Sequence, residues 1–430
     1  MNSPRGGNDL LYSQSLGKKE TCPVCIGMIV MSYYPELCGG AERQCSRLTK
    51  ELLRRGHNVK ILTTRTSLKT PSRTLDGKLE IIRIPRMDVL LPYPTSIPED
   101  FHSQDNLHKP VELRGHRFGV LSRLAALALR YFNTLSFMLG SLWHFWVLRN
   151  QVNVWHGHVA GLYAGWCGFW LNRLGKSFVC KGANLPVFSE EEAVPFRRLL
   201  AKWRRSLNFV ALTQDMKQDL VANGVPASKI VIIPNGIDLP QHLSPRSASC
   251  QTGSVLYIAN FTQPVANKAY DVLFAAWCNV SKARNWATLI VAGAGNTGEW
   301  KDLLWEHGVA QSVQFLGYVE NIDSLYSVAS MIVLPSRREG ISNALLEAQA
   351  HGVPAVVSDI PGNCAVVIDG VTGLVVPVDD VNALTQAIIA LLDDTERRME
   401  MGRQAISRIE SEFSIQIVVD RYLNLYKSLG

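Results

Sequence analysis

The stretch SRREGISNALLEAQAHGVPAVVSD, residues 336–359, contains two glutamates eight residues apart. Its last residues, PAVVSD, and the run SMIVLPS that leads into it have the apolar composition of buried strands. Between them, ISNALLEAQA has the pattern of a helix that Ser342 or Asn343 can cap and that Gly352 ends. A strand, a helix and a second strand in this order predict a parallel βαβ unit, because parallel strands need a crossover connection.

The same alternation of strand-like and helix-like segments extends along the chain from residue 24 onward. It predicts an α/β fold in which two Rossmann-like, doubly wound domains face each other across a cleft. A chain of 430 residues is also longer than one hydrophobic core usually serves. The expected segments are a disordered lead at 1–20, an N-terminal domain at 21–238, a linker at 239–253, a C-terminal domain at 254–410 and a C-terminal helix at 411–430 that returns to the N-terminal domain.

The composition narrows the class of protein. The formal net charge is +7, which suits an anionic ligand or an anionic membrane surface but is too weak to indicate nucleic acid. Nine cysteines scattered among apolar segments are typical of buried thiols in a reducing compartment. The first twenty residues contain no apolar run long enough for a signal peptide. We therefore expect a cytoplasmic protein.

One apolar segment leaves two interpretations open. YFNTLSFMLGSLWHFWVL, residues 131–148, has 18 residues without a charge and just reaches the length of a membrane span. Its polar residues, and an apolar pattern that already begins at Leu121, favour a helix buried against a sheet. The alternative is a helix lying on the inner face of the membrane. The basic and apolar stretch FRRLLAKWRRSL, residues 196–207, would assist such a peripheral contact.

Two glycine-containing turns are candidates for ligand binding. Gly39 and Gly40 stand where a helix begins after the first strand, so that free N–H groups and a close backbone approach are available to an anion. The sequence Gly293-x-Gly295-x-x-Gly298 spells the dinucleotide fingerprint and supports an alternative function, an NAD-dependent oxidoreductase. This motif follows the second strand of its domain instead of the first, which argues against that alternative.

His156 and His158 have the spacing of a metal-binding pair, because alternate residues of a strand project to the same side. No third ligand is evident nearby, and the chain contains no Asp-x-Asp pair for a nucleotide-bound divalent ion. The preferred interpretation is therefore two loop histidines near the cleft and no metal site.

The opening stretch itself has the features of an anion site. Backbone N–H groups of Ile341, Ser342 and Asn343 would lie at the positive end of the predicted helix, which suits a diphosphate. Glu339 lies beside them in the turn, and Glu347, about one turn into the helix, can accept hydrogen bonds from a diol. Alternatively, both acids simply favour the helix dipole, which explains an acid at 339 better than one at 347.

The pair Glu339-x7-Glu347 resembles the signature of the family 4 retaining glycosyltransferases, which have the GT-B fold of two Rossmann-like domains (glycosyl transferases group 1 type). The resemblance covers roughly residues 24–428 and includes GGAERQ, VIIPNGID and DGVTGLVVPVDD in the family's order. It implies an enzyme that needs no metal ion and no cofactor, and we expect a hexosyltransferase. Such an enzyme moves a sugar from a nucleotide-diphosphate sugar to a sugar or lipid-linked acceptor in polysaccharide or glycolipid assembly. A catalytically silent sugar-nucleotide-binding protein is the further alternative.

The resemblance also implies roles for residues. Glu339 would contact the donor sugar's hydroxyls near the reacting carbon, and Lys268 would neutralise the diphosphate leaving group. Glu347 would bind the ribose, and the backbone around Tyr318 and Val319 would flank the base. From the acceptor-side N-terminal domain, the two glycines at 39 and 40 would approach the donor that the C-terminal domain binds.

Two positions depart from the family's pattern. Asn260 stands where the family usually has an arginine at the end of the first strand of the second domain. Half of the diphosphate clamp is therefore missing at that position, and Arg337, Arg338 or a residue of the first domain is a candidate to replace it. Lys181 stands where many members have a histidine, so that it either replaces this histidine beside the donor phosphates or points away from them.

Overall fold

The computed structural model of the chain describes residues 23–34, 39–86, 120–158, 160–188, 196–240, 253–261 and 265–429. The predicted lead at 1–20 and most of the predicted linker at 239–253 lie outside these residues. The described part contains two separate sheets, which confirms the predicted α/β fold with two doubly wound domains.

The first sheet is made, within the described residues, of the strands β1 Cys25–Ile29, β2 Asn58–Arg65, β3 Arg73–Asp76, β4 Leu79–Pro85, β5 Val154–Gly157, β6 Ser177–Lys181, β7 Asn208–Ala211 and β8 Ile230–Ile232. Their order is β3-β4-β2-β1-β5-β6-β7-β8. All neighbours are parallel except β3, which pairs antiparallel with β4 at the edge. The order reverses between β1 and β5, so the connections that follow these two strands diverge at the carboxyl edge.

The second sheet is made of the strands β9 Ser254–Ile258, β10 Thr288–Ala292, β11 Val313–Gly317, β12 Met331–Leu334, β13 Ala355–Ser358 and β14 Gly373–Val376. Their order is β11-β10-β9-β12-β13-β14, and every described pair is parallel. This is the doubly wound order of a Rossmann sheet, which reverses between β9 and β12.

Helices connect the strands and cover both sheets. They are α1 Gly40–Arg54, α2 Val120–Leu148, α3 Leu162–Arg173, α4 Arg197–Arg204, α5 Gln214–Ala222, α6 Val265–Lys268, α7 Tyr270–Ala283, α8 Gly298–Glu306, α9 Asp323–Val328, α10 Asn343–Ala350, α11 Pro361–Cys364, α12 Val381–Asp393, α13 Thr395–Arg408 and α14 Ile415–Leu429. A π-helical turn, Ile409–Phe413, joins α13 to α14.

The last helix crosses from the second sheet to the first. Val419 and Tyr422 of α14 share a buried cluster with Ile26 of β1 and with Leu48 of α1. The hydroxyl of Ser177, at the start of β6, donates to the terminal carbonyl of the same helix. The C-terminal segment therefore forms part of the core of the N-terminal domain.

Helix α2 contains the apolar segment 131–148 and is only partly buried. Phe137 and Phe145 belong to the core, whereas Leu139 and Trp143 between them are exposed. The interpretation of a helix buried against a sheet therefore holds for one face of this segment only, since the other face is exposed. Among the described residues, no helix combines the length and the hydropathy needed to cross a bilayer.

Candidate active site

The candidate site lies where the second sheet reverses its strand order, between β9 and β12. Open α/β sheets bind ligands there because the loops after the two strands diverge. Strand β12 leads into the turn that carries Glu339, and this turn leads into α10. Ser342 occupies the N-cap position of α10, but its side chain makes no capping hydrogen bond, contrary to the capping role predicted from the sequence. The first-turn N–H groups of this helix, including that of Asn343, have no acceptor inside the helix and suit an anion.

Glu339 and Lys268 form an ion pair at the switch point. The Nζ of Lys268, at the end of α6, lies 2.6 Å from Oε1 of Glu339. The hydroxyl of Ser336 donates to Oε2 of the same carboxylate at 3.0 Å. The hydroxyl of Tyr257, on β9, donates to the backbone carbonyl of Lys268 at 3.2 Å. Glu339 and Lys268, to which the resemblance gives roles at the donor, therefore lie together. Residues on β9 and directly after β12 hold them in place.

Glu347 is buried one turn into α10 and has a partner on each carboxylate oxygen. Nη2 of Arg47, from α1, donates to Oε1 at 2.5 Å, and the hydroxyl of Tyr326, from α9, donates to Oε2 at 2.9 Å. Burial, and then the negative charge of Glu347, raises the pKa of Tyr326 well above its usual value. The phenol thus remains a hydrogen-bond donor, and each carboxylate oxygen retains a second acceptor position for a ligand hydroxyl.

The glycines of the N-terminal domain meet the site through Asn343. The side-chain amide of Asn343 donates to the carbonyl of Gly40 at 3.3 Å, and its oxygen accepts from Nε2 of Gln44 at 2.6 Å. Gly39 occupies the N-cap position of α1. A Cβ placed on Gly40 would lie only 3.3 Å from the amide nitrogen of Asn343. The turn at 39 and 40 therefore lies against the start of α10, and its approach to the donor stays a prediction.

The turn before α10 is also held by the N-terminal domain. The N–H of Gly340 donates to Oδ1 of Asn184 at 3.2 Å. The side-chain amide of Asn235 donates to the carbonyl of Ile341 at 2.9 Å. Arg338 donates to the carbonyl of Leu185 at 3.2 Å. Three successive parts of this turn thus contact the opposite domain, so the two domains close on the candidate site.

The predicted base-flanking residues follow β11. Tyr318 has 69% of its surface exposed, and Val319 is half-buried. The preceding residue, Gly317, lines a cavity of about 280 Å³ together with Gly293 and Phe261. This cavity lies at the carboxyl ends of β10 and β11, on the same edge of the sheet as Glu339.

The first glycine of the dinucleotide fingerprint has a packing role. Gly293 has a φ of +147°, and a Cβ placed on it would lie 1.6 Å from the carbonyl oxygen of Ala259. Its N–H donates to the carbonyl of Gly317 at 2.8 Å. Neighbouring strand ends therefore approach so closely that no side chain fits at 293. Packing within the sheet therefore explains this glycine without a bound dinucleotide.

Arg337 and Arg338, the candidates to replace the arginine that the family has at position 260, make different contacts. Arg337 donates two hydrogen bonds to Asp271, at 3.0 and 2.8 Å, and a third to Asp379 at 2.5 Å. Its charge is thereby balanced by two carboxylates. Arg338 is exposed and contacts the carbonyl of Leu185. Neither side chain is directed by these contacts toward the pair of Glu339 and Lys268.

The histidines and Lys181 lie at the carboxyl ends of β5 and β6 in the N-terminal sheet. His156 and His158 are buried and stacked 4.3 Å apart, and Nδ1 of His156 lies 2.7 Å from the hydroxyl of Tyr426. The prediction of two loop histidines is wrong for His156, which lies on β5 beneath α14, whereas His158 directly follows that strand. Burial lowers the pKa of both histidines, and it lowers the pKa of Lys181 to about 8. Nζ of Lys181 lies 6.0 Å from the ring of Tyr422, so this side chain points beneath α14. Among the described residues, no group of three potential ligands could hold a metal ion.

Several residues of the site were not found from the sequence. They are Gln44, Arg47, Asn184, Asn235 and Tyr326. Gln44 belongs to the motif GGAERQ and Asn235 to the motif VIIPNGID, and both motifs carried the resemblance, so a signal for these two residues was present. The others lie outside the motifs quoted for the resemblance, and each acts on a residue distant in sequence.

Comparison with solved structures defines the class of protein. The sucrose-phosphate synthase of Thermosynechococcus elongatus superposes with a TM-score of 0.69, at 19% identity, over 94% of this chain and 99% of that chain. Anabaena HepE in complex with UDP-glucose superposes with a TM-score of 0.67, at 15% identity, over 94% of this chain and 100% of that chain. The fold is that of the GT-B glycosyltransferases.

Two family models then identify the family. The model described as Glycosyltransferase Family 4 matches residues 38–241, and the model described as Glycosyl transferases group 1 matches residues 252–394. The chain belongs to the family 4, group 1 glycosyltransferases, which confirms the resemblance. A GDP-mannose-dependent monoacylated alpha-(1-6)-phosphatidylinositol monomannoside mannosyltransferase of Corynebacterium glutamicum is 32% identical over 213 residues, which are 46% of this chain and 55% of the relative. The chain spans about half the length of the curated relatives it matches.

Proposed function

We propose that this protein transfers a sugar from a nucleotide-diphosphate sugar to an acceptor hydroxyl, with retention of the anomeric configuration, in polysaccharide or glycolipid assembly. The observation that carries this proposal is the pair of Lys268 and Glu339 at the switch point, beside the N-terminus of α10. The relative from Corynebacterium is named for a GDP-mannose donor and a lipid-linked acceptor, and HepE was solved with UDP-glucose. Both names support the proposed substrate class.

In the proposed reaction, the bond between the anomeric carbon and the diphosphate breaks, and the nucleoside diphosphate leaves with the electron pair. The acceptor oxygen bonds to the same face of that carbon, and its proton passes to an oxygen of the departing diphosphate. The ammonium of Lys268 and the first N–H groups of α10 would stabilise the charge that develops on the leaving group. Because these groups supply positive charge, we propose that neither a metal ion nor a cofactor is required. Glu339 would hold the sugar's hydroxyls, and Glu347 would hold the ribose.

The proposal is tested with the purified protein and a panel of nucleotide-diphosphate sugars. One donor class should raise the midpoint of thermal unfolding, because a ligand that binds only the folded state stabilises it. The same donor should be consumed in the presence of a chelator, and NMR of the product should show the donor's anomeric configuration. An inverted product would contradict retention, and loss of turnover with the chelator would contradict metal independence. Binding without turnover for any acceptor would identify a silent sugar-nucleotide-binding protein.

We also propose that an anionic membrane surface is a partner of the N-terminal domain. Helix α2 exposes a stripe of large apolar side chains at helical spacing: Phe132, Leu135, Leu139, Trp143 and Trp146. Helix α4 lies on the same side of the domain, since Leu200 of α4 and Met138 of α2 share one buried cluster. The exposed surface of α4 and the residue after it is basic and carries Arg197, Arg198, Lys202 and Arg205. An apolar stripe beside a basic patch is the arrangement that binds the interface of anionic lipids.

Flotation with vesicles tests this contact. The protein should float with vesicles that contain about one third anionic lipid at low salt, and much less with zwitterionic vesicles, because each basic side chain adds about 1 kcal/mol near an anionic surface. The double substitution Trp143→Ser and Trp146→Ser should reduce flotation at least severalfold. Trp305→Ser is the matched control, since Trp305 is even more exposed than Trp143 and Trp146 but lies on α8 of the other domain. If the wild-type protein stays with the soluble fraction at low salt, the membrane is not its partner.

A further inference from the structure

We infer that Arg47 of the N-terminal domain binds the phosphates of the donor while its neighbour Glu347 binds the ribose. This inference rests on the proposed function and names a cation for the same site. It begins from the uncharged Asn260 at the end of β9. Lys268 would supply one positive charge to the leaving group, whereas Arg337 uses all three of its guanidinium nitrogens on two aspartates.

The guanidinium of Arg47 has hydrogen-bonding capacity left over. Its Nη2 donates to Glu347, and its Nε lies 3.6 Å from the carboxylate of Asp238, which is longer than a hydrogen bond. Its Nη1 is buried and has no hydrogen-bond partner in the described part of the chain. A buried donor without an acceptor is destabilising, so this nitrogen is suited to a ligand oxygen.

The chemistry of the pair indicates which ligand would fit. Glu347 can only accept further hydrogen bonds, whereas Nη1 of Arg47 can only donate them. A ligand that fills both positions must offer hydroxyl donors next to anionic acceptors. The ribose of a nucleoside diphosphate has these groups side by side, since its hydroxyls can donate to Glu347 while a phosphate oxygen accepts from Arg47. Nη1 carries two N–H groups, so a charge-assisted contact with a phosphate is available at this nitrogen.

The position of Arg47 would couple this contact to domain closure. Arg47 lies on α1, and Glu347 lies on α10 of the opposite domain. One turn before Arg47, Gln44 donates to Asn343 at the start of α10. A phosphate bound to Arg47 would therefore add an attractive contact only when the two domains are together. Arg47 is in this sense a residue that positions the donor as well as binding it.

The test compares Arg47→Gln with the wild-type protein by calorimetric binding of a nucleoside and of its diphosphate. The wild-type protein should bind the diphosphate more tightly than the nucleoside, and the substitution should reduce that ratio by about ten- to a hundredfold, as for loss of a charge-assisted hydrogen bond. Arg47→Lys should restore only part of the ratio, because an ammonium is a single point charge. Arg54→Gln is the matched control, because the exposed Arg54 lies on the same helix and also pairs with a glutamate, Glu51.

The outcomes separate this inference from the proposed function. If Arg47→Gln weakens the nucleoside and the diphosphate by the same factor, Arg47 acts on the fold or on Glu347 and the inference is wrong. If the wild-type protein binds no nucleoside and no nucleoside diphosphate, whichever nucleobase is used, the proposed function itself fails. Thermal unfolding of each variant shows whether it is folded. Glu347→Gln is a second variant for comparison: it should bind the nucleoside more weakly, while the ratio of the affinities for the diphosphate and the nucleoside stays close to that of the wild-type protein.

Discussion

Glu339→Gln is expected to lower the rate of sugar transfer by about 10²- to 10³-fold, the usual effect of removing one preorganised electrostatic group from an active site. Oε1 of the carboxylate accepts from Lys268 at 2.6 Å, and Oε2 accepts from Ser336 at 3.0 Å. A glutamine amide can accept on one side only, and its NH₂ group would face either the ammonium or the hydroxyl. The substitution therefore disturbs the ion pair and the proposed contacts with the sugar together.

The measurement is kcat for transfer, with KM for the donor determined in the same series. We expect the loss mainly in kcat, because the ribose and the phosphates would still be held by Glu347 and the N-terminus of α10. Glu306→Gln is the control, since Glu306 is an exposed acid on α8 of the same domain. Unchanged turnover in Glu339→Gln would mean that the switch point of the second sheet is not where transfer occurs.

The fold followed from the sequence because parallel strands are buried on both faces and leave continuous apolar runs. SVLYI of β9 and MIVL of β12 are of this kind, and the structure places them side by side. The position of Glu339 followed in turn, since a polar turn after a buried strand must lie at the carboxyl edge. The edge strand β3, RTLD, is short, largely exposed and antiparallel, so it has no such run.

The contacts between the domains did not follow from the sequence. Arg47 and Glu347 are separated by 300 residues, and nothing in the spacing of α1 shows which of its arginines would face α10. The burial of His156 was missed for a related reason. The strand pattern around His156 shows only which face of the sheet this residue is on. That face is covered by α14, whose Tyr426 contacts His156 and is 270 residues further along the chain. Local patterns thus predict elements and their turns, whereas the partners of side chains depend on which distant element packs against them.

Gly340→Ala is expected to lower kcat/KM by about ten- to a hundredfold without unfolding the protein. A Cβ placed on Gly340 would lie 2.0 Å from the backbone carbonyl oxygen of Ala183, which belongs to the opposite domain. Both atoms are fixed to backbone, so no side-chain rotation relieves the contact and the domains must separate. Overpacking of this kind costs about 1–3 kcal/mol, and each 1.4 kcal/mol is a factor of ten in an equilibrium constant.

The cost of this substitution should fall on the closed arrangement alone, because the nearest atoms that the new methyl group meets belong to the other domain. We therefore expect the midpoint of thermal unfolding to change little while kcat/KM falls. Gly298→Ala is the matched control: it lies at the start of α8, and its nearest contact would be a side-chain oxygen of Asn296 at 3.3 Å. Wild-type kcat/KM in Gly340→Ala would show that transfer does not need the turn beside Glu339 to close on Asn184. A large fall in the unfolding midpoint would show instead that the contact stabilises the fold, since an effect on closure alone leaves each domain intact.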